Sequence, residues 1–293
     1  MPCPPCQRRS ALLAALAPAI ARLSFTRHAL LRLLALPNEQ LLRAAKVQNP
    51  RGFLRRLELP LPSESVPTAL CRHDPDYPQA LAQLPSAPAV LYATCTIERL
   101  RELLAKPTVA IVGSRAPTEY AHQMTSELAR DVAAAGITVI SNINDGLEGF
   151  AQRGALRDDG SALAVMSCSP DLSHLRRHDH LHRRVLAHGA AVSELPPGFF
   201  PPPRWCFIAS QRITAALANL VVVVEVGERS PALLIAEIAS NLGAEVAVVP
   251  GRITDPGGPW MFRLLYDGAH PVSCARDVLE LICYGRRVRA VAA

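Results

Sequence analysis

From Val109 to Pro250, short runs of continuous Val, Ile, Leu and Ala alternate with longer stretches of helical periodicity. The pattern predicts strands at Val109–Val112, Ile137–Ser141, Ala162–Ser167, Ala190–Glu194, Leu220–Val226 and Val246–Pro250. Between them it predicts helices at Glu119–Ala135, Glu148–Arg157, Leu172–Ala187, Ile208–Leu217 and Ala232–Leu242. Strands without a polar face must be covered on both sides, and strands separated by helices run parallel. The expected fold is therefore an α/β doubly wound, mostly parallel sheet. Such sheets bind ligands beyond the carboxyl ends of their strands. Function is sought in the loops after Val112, Ser141, Ser167, Glu194, Val226 and Pro250.

Upstream, apolar residues recur at helical spacing over Ala11–Leu23, Arg27–Ala35 and Glu39–Val47. Residues 60–68 contain three prolines and two serines and read as a linker, giving a helical domain at 1–62 and an α/β domain at 63–293. Past the linker, Ala89–Thr94 reads as an edge strand and Ile97–Ala105 as a helix. Residues 1–70 carry ten Lys/Arg against Glu39, Glu58 and Glu64, a net of +7 within a chain total of +6. That asymmetry points to an anionic partner, nucleic acid first. No apolar run reaches the roughly 18–20 residues of a membrane helix. Pro18 and Arg22 interrupt the one segment resembling a signal peptide, so a cytoplasmic protein is expected. The eight cysteines are scattered and expected to be reduced. Cys3-Pro-Pro-Cys6 lacks a second ligand pair at zinc spacing and reads as a disordered terminus, so neither metal nor cofactor is expected.

In the loops, Gly113-Ser114-Arg115 joins a buried strand to a helix. The unpaired first amides of that helix and the Arg115 fork suit an anion, while a tight turn with a solvated arginine fits the residues equally. The loop from Ser141 through Gly146 to Glu148 suits either a polar ligand or an ordinary turn capped by Asn144 or Asp145. His174, His178, His180 and His182 have spacings that fit a metal or, beside Arg176, Arg177, Arg183 and Arg184, a solvated basic helix. Phe199, Phe200, Arg204 and Trp205 combine rings with charge, as single-strand binding requires, and equally suit a loop that packs on itself. The chain has no Gly-x-Ser-x-Gly elbow, Walker lysine motif or His-Glu-x-x-His.

Several elements occur in the order of one family: Tyr77-Pro78 with Leu81; Val109-Ala-Ile-Val-Gly-Ser-Arg115 with Tyr120; Ser193-Glu-Leu-Pro196 with Gly198; Arg212-Ile213 with Ala216-Leu217; Val221-Val-Val-Val-Glu225; and Val249-Pro-Gly251 followed by Asp255, Gly258, Leu264 and Gly268-Ala269. Over about residues 70–280 the chain resembles the DNA-processing protein A (DprA, or Smf) family. The resemblance implies an extended Rossmann-like fold that binds single-stranded DNA without catalysis, often as a dimer, and loads the RecA recombinase during natural transformation. It implies no bound cofactor. A C-terminal winged helix, common in the family, is expected to be missing. Phosphate contacts are expected from Gly113, Ser114, Arg115, Ser141, Gly146, Gln211, Arg212, Ser230 and Arg252, and base stacking from Phe199, Phe200 or Trp205.

The chain departs from the family pattern. The usual Ser-Gly-x-Ala-x-Gly-Ile-Asp is Ser141-Asn-Ile-Asn-Asp-Gly-Leu-Glu148, the usual Arg-Asn-Arg is Ser210-Gln-Arg212, and Gly-Ser-Leu-Ile-Thr-Ala is replaced around Ser230–Ala236. Two alternatives follow: a nucleotide-processing enzyme related to phosphoribohydrolases, although Pro256-Gly257-Gly258 lacks the rest of their motif, or a scaffold with a degenerate pocket.

Overall fold

The computed structural model describes residues 2–292 except 61–62, 159, 174–175 and 256, with the backbone alone for 286–292. In chain order the first elements are α1 (Pro4–Ala21), α2 (Arg27–Ala35), α3 (Asn38–Ala44), α4 (Pro50–Arg55), β1 (Thr68–Cys71), α5 (Gln79–Ala82), β2 (Val90–Ala93) and α6 (Ile97–Ala105). Next come β3 (Thr108–Val112), α7 (Glu119–Ala134), β4 (Thr138–Ser141), α8 (Leu147–Ala155), β5 (Ala162–Val165), a 3-10 turn (Arg176–His178), α9 (Asp179–His188) and β6 (Ala190–Ser193). The last are α10 (Arg204–Leu217), β7 (Leu220–Val223), α11 (Pro231–Asn241), β8 (Glu245–Val248), α12 (Gly258–Tyr266), β9 (His270–Pro271) and α13 (Ala275–Ala292). The chain divides into two compact units: Met1–Leu100 with Met166–Arg176 and Ala191–Ser210, and Arg101–Val165 with Arg177–Ala190 and Gln211 onward.

In the second unit β5, β4, β3, β7, β8 and β9 lie side by side in that order, all parallel. The expected doubly wound pattern is present, with β3 between β4 and β7: Val109 pairs with Val139 on one side and Leu220 on the other. Val109–Val112 are wholly buried, as a run without a polar face requires. Their faces are filled by helices; Ala110, Val112, Val221 and Val223, for example, pack with Ile235, Ala239 and Met261.

The first unit departs further from expectation. β2 pairs antiparallel with β1 and with β6, so Ala89–Thr94 is an interior strand, and β6 has an antiparallel neighbour. The helices before residue 60 do not close a core among themselves. Leu12, Leu16, Ile20, Leu30, Leu41 and Leu42 share one with Leu195, Trp205, Cys206 and Ala209. The boundary expected at 62/63 therefore lies inside this unit, because the apolar faces of α1–α3 find their partners far along the chain. Residues 61 and 62 of the expected linker lie outside the described residues. The N-terminus is ordered: Pro4 and Pro5 occupy first-turn positions, where a missing N–H costs nothing, and Cys6 is buried one turn into α1. The missing second ligand pair is remote in sequence, for Cys71 and His73 lie beside Cys3 and Cys6.

Two glycines fix the loops above the parallel strands. A Cβ at Gly113 would fall 2.4 Å from Leu147 Cδ1 and 2.8 Å from the Glu225 carbonyl oxygen. Gly146 has φ +84°, and a Cβ there would fall 2.2 Å from the Ser114 carbonyl oxygen and 2.5 Å from Arg115 Cα. The missing side chains admit the chain's own backbone, and the Leu147 amide donates to the Ser114 carbonyl at 3.0 Å. Gly136 has nearly the same φ, +83°, with nothing within 4 Å of the added carbon. Gly136→Ala therefore incurs only the left-handed penalty, about 1–2 kcal/mol. Gly146→Ala adds an overpacking cost of about 1–3 kcal/mol. Urea unfolding of the two variants should show Gly146→Ala losing clearly more stability; equal losses would disprove the interlock.

Candidate nucleic-acid interface

Past the buried β3, Gly113 is enclosed and Arg115 is exposed at the head of the loop. Ser114 Oγ accepts from the Ala116 amide at 3.2 Å, tightening the turn. Thr118 caps α7 by accepting from the Ala121 amide at 3.2 Å. Glu225 Oε2 in turn accepts from the Thr118 amide at 3.2 Å and from its hydroxyl at 2.6 Å. The start of α7, expected to offer amides to an anion, is thus furnished by its own chain with a hydroxyl and a carboxylate. Positive charge at this edge falls to side chains. Tyr120 donates its hydroxyl to the Pro250 carbonyl at 3.0 Å, joining the first turn of α7 to the loop after β8, where Arg252 is also exposed.

After β4, Ser141 turns inward and donates from Oγ to the Ile111 carbonyl at 2.9 Å, a structural bond between strands. The residues that depart from the family pattern here interact with one another. Asn144 Nδ2 donates to Glu148 Oε2 at 2.8 Å, and Asn142 also hydrogen-bonds that carboxylate. Desolvation pushes the Glu148 carboxyl above the usual carboxylate range, against the hydrogen bond from Asn144 and the nearby charge of Arg115. Asp145 does not cap α8; Gly146 holds that position without a side-chain bond. Asp145 instead grips Arg177 through both oxygens and meets His178 Nε2 at 3.0 Å. The Arg177 hydrogen bond foremost, with help from His178, holds the Asp145 carboxyl below its ordinary value.

The histidine segment has a solvated basic face, with Arg176, Arg177, His180 and Arg183 exposed, and a buried one. His178 and His182 are buried, the latter with Leu181 and Val185 on the inner side of α9, while His180 is exposed; His174 lies outside the described residues. Burial satisfies the apolar stripe of a short helix, which the density of charge in the sequence conceals.

Other expected contacts prove interior. Arg212 is 1% exposed and Gln211 4%, both on the inner face of α10, so neither presents its polar group to a strand of DNA. Trp205, 1% exposed, donates from Nε1 to the Ala17 carbonyl at 3.2 Å within the helical core, so its ring faces are not open to a base. Phe199 packs against that same core, whereas Phe200 is 52% exposed. Ser230 is buried as the cap of α11, accepting from the Ala232 amide at 3.3 Å. Of the expected contacts in the second unit, Arg115 and Arg252 have exposed cationic side chains. Gly257 and Gly258 make room for the Val226 and Ile253 carbonyl oxygens, at 2.4 and 2.5 Å from an added Cβ, so their lack of side chains serves internal packing; Pro256 lies outside the described residues. Thr118, Tyr120 and Glu225 were not among the expected site residues. Thr118 offered a legible helix-cap signal, while the partners of Tyr120 and Glu225 come from loops far away in sequence.

The sequence profile of the DNA recombination-mediator protein A family matches residues 68–283. A putative DNA processing protein DprA of Mycobacterium tuberculosis is 37% identical over 196 residues, 67% of this chain and 50% of that protein. The DNA processing protein DprA of Bacillus subtilis is 31% identical over 207 residues, 70% of this chain and 67% of that protein. The chain thus spans about half the length of the M. tuberculosis relative. Among solved structures, DNA processing protein A of Streptococcus pneumoniae superposes with a TM-score of 0.70 at 24% identity, covering 88% of this chain and 98% of that one. DNA processing protein A of Helicobacter pylori, for which a single-stranded DNA binding mode is described, superposes with a TM-score of 0.62 at 25% identity, covering 74% and 96%. With its parallel sheet, its glycine-locked loops and a family match that runs from β1 into α13, this chain belongs to the DNA recombination-mediator protein A family.

Proposed function

We propose that the chain binds single-stranded DNA through the loops at the carboxyl edge of its parallel strands, without catalysing a reaction. In this reading it acts in the cytoplasm as a homodimer, binding strands taken up in natural transformation and helping to load a RecA-type recombinase onto them. The observation that carries the reading is Arg115: an exposed guanidinium on a loop whose backbone is clamped by Gly146. A cation on a rigid support loses little entropy in meeting a phosphate, and its planar fork suits phosphate oxygens. Arg252 supplies a second exposed cation on the loop that Tyr120 ties to α7. The single-strand binding described for the H. pylori relative supports the choice of ligand. Phe200 is the exposed ring among the stacking residues proposed for the first unit.

Fluorescence anisotropy with an unstructured oligonucleotide across a salt series tests this. Wild-type affinity should fall steeply with salt. Arg115→Ala should weaken binding about tenfold or more at low salt, as expected for a charge-assisted hydrogen bond. It should also make the logarithmic salt slope shallower by about 0.7, one phosphate contact on a single strand. Unchanged affinity in Arg115→Ala, with a large loss in Arg55→Ala/Arg56→Ala, would move the interface to the basic N-terminal segment.

Glu148 adds a pH dependence. Its carboxylate lies in the field of Arg115, and burial raises its pKa, so falling pH removes a negative charge beside the DNA-binding cation. Affinity should rise as pH falls through that raised value. Glu148→Gln should bind more tightly than wild type at pH above that raised value and lose this part of the pH response; parallel pH profiles would show that Glu148 does not modulate binding.

A further inference from the structure

The first unit contains a cluster of soft ligands that the DNA-binding reading does not use. Cys3, Cys6, Cys71 and His73 place one ligand atom each within 4.8 Å of all the others. Cys3 Sγ lies 3.3 Å and Cys6 Sγ 3.4 Å from His73 Nδ1. In a tetrahedral zinc centre with Zn–S near 2.3 Å and Zn–N near 2.05 Å, sulfur and nitrogen stand about 3.6 Å apart and two sulfurs about 3.8 Å. The two sulfur–nitrogen separations fall close to that tetrahedral edge, and the three sulfurs and one nitrogen form a recurrent structural zinc donor set.

We propose that this chain binds a structural zinc ion through Cys3, Cys6 and Cys71 as thiolates and His73 through Nδ1. The two ligand pairs are presented on firm supports. Cys3 is the N-cap of α1, and Cys6 follows one turn later, its amide donating to the Cys3 carbonyl at 3.0 Å. Cys71 ends β1 and His73 lies in the turn beyond it. Asp74 clamps that turn: its Oδ2 accepts from the Cys71 amide at 2.6 Å, and its own amide donates to the Cys71 carbonyl at 2.8 Å. Cys6 and Cys71 are buried among Val66, Ala89, Val90 and Tyr92, with Cys3 partly buried against them. The ion is thereby shielded on its sulfur side, while exposed His73 leaves a path for entry. Four protein ligands fill a tetrahedron and leave no position for water or substrate, so the site is structural and not catalytic. Three thiolates with one imidazole favour zinc over hard cations, which take oxygen ligands. The bound ion fastens the beginning of α1 to the end of β1, closing a loop that contains all four N-terminal helices.

The full-length chain, purified under reducing conditions without added chelator, should contain about one zinc ion per molecule by plasma mass spectrometry. Replacing zinc with cobalt(II) should give the intense visible d–d bands of a tetrahedral site together with thiolate charge-transfer bands. Cys3→Ser/Cys6→Ser and Cys71→Ser/His73→Ala should each lose most of the zinc, whereas Cys283→Ser, at an exposed cysteine outside the cluster, should retain it. Folded wild-type protein that holds no zinc and gives no tetrahedral cobalt spectrum overturns the proposal, even if the substituted variants fail to fold. Zinc retained in full by both folded double variants, or a Cys3–Cys6 disulfide found in the reduced preparation, overturns it as well.

Discussion

The geometry of the proposed interface depends on backbone pressed against backbone where Gly146 meets Ser114 and Arg115. That contact is possible only without a Cβ and only with a positive φ, so one residue meets two independent demands. Its effect is mechanical. Hydrogen bonds from Thr118 to Glu225 and from Tyr120 to Pro250 join the loops after β3, β7 and β8, and Gly146 adds the loop after β4. Arg115 thus projects from a surface braced by several strands.

The loop after β4 shows how an unusual sequence can remain internally consistent. Asn142, Asn144 and Glu148 are the polar positions that differ there from the resembled family pattern, and in space they form one cluster. Two amides attend a single half-buried carboxylate, although the buried Oδ1 of Asn142 has no hydrogen-bond partner among the described residues. Glu148 keeps a carboxylate where the pattern has an aspartate, so these differences add amides near Arg115 without altering the formal charge, and they leave the glycine lock intact.

The second unit was the more legible in sequence. Continuous apolar strands such as Val109–Val112 and Leu220–Val223 announce a parallel sheet because each is buried on both faces. The short β9 strand, His270–Pro271, carries no comparable run and went unforeseen. Exposure was harder to read. Arg212 and Trp205 have the chemistry of DNA contacts, yet α10 turns both inward, and helical phase is difficult to judge where nearly every neighbour is apolar. His178 and His182 fail for the opposite reason: surrounding arginines disguise a buried stripe. Cys3 and Cys6 seemed to lack partners because spacing rules look nearby, whereas β1 brings Cys71 and His73 from beyond the helices.

The shared core of the first unit bears on how the protein is made. Leu12, Leu16, Ile20, Leu30 and Leu41 are synthesised well before Leu195, Trp205, Cys206 and Ala209, which complete their core from more than 150 residues further along the chain. Until then α1–α3 have apolar faces and no permanent cover. The nascent chain therefore carries that adhesive surface until residue 209 has been made, an interval in which transiently exposed apolar faces favour misassembly.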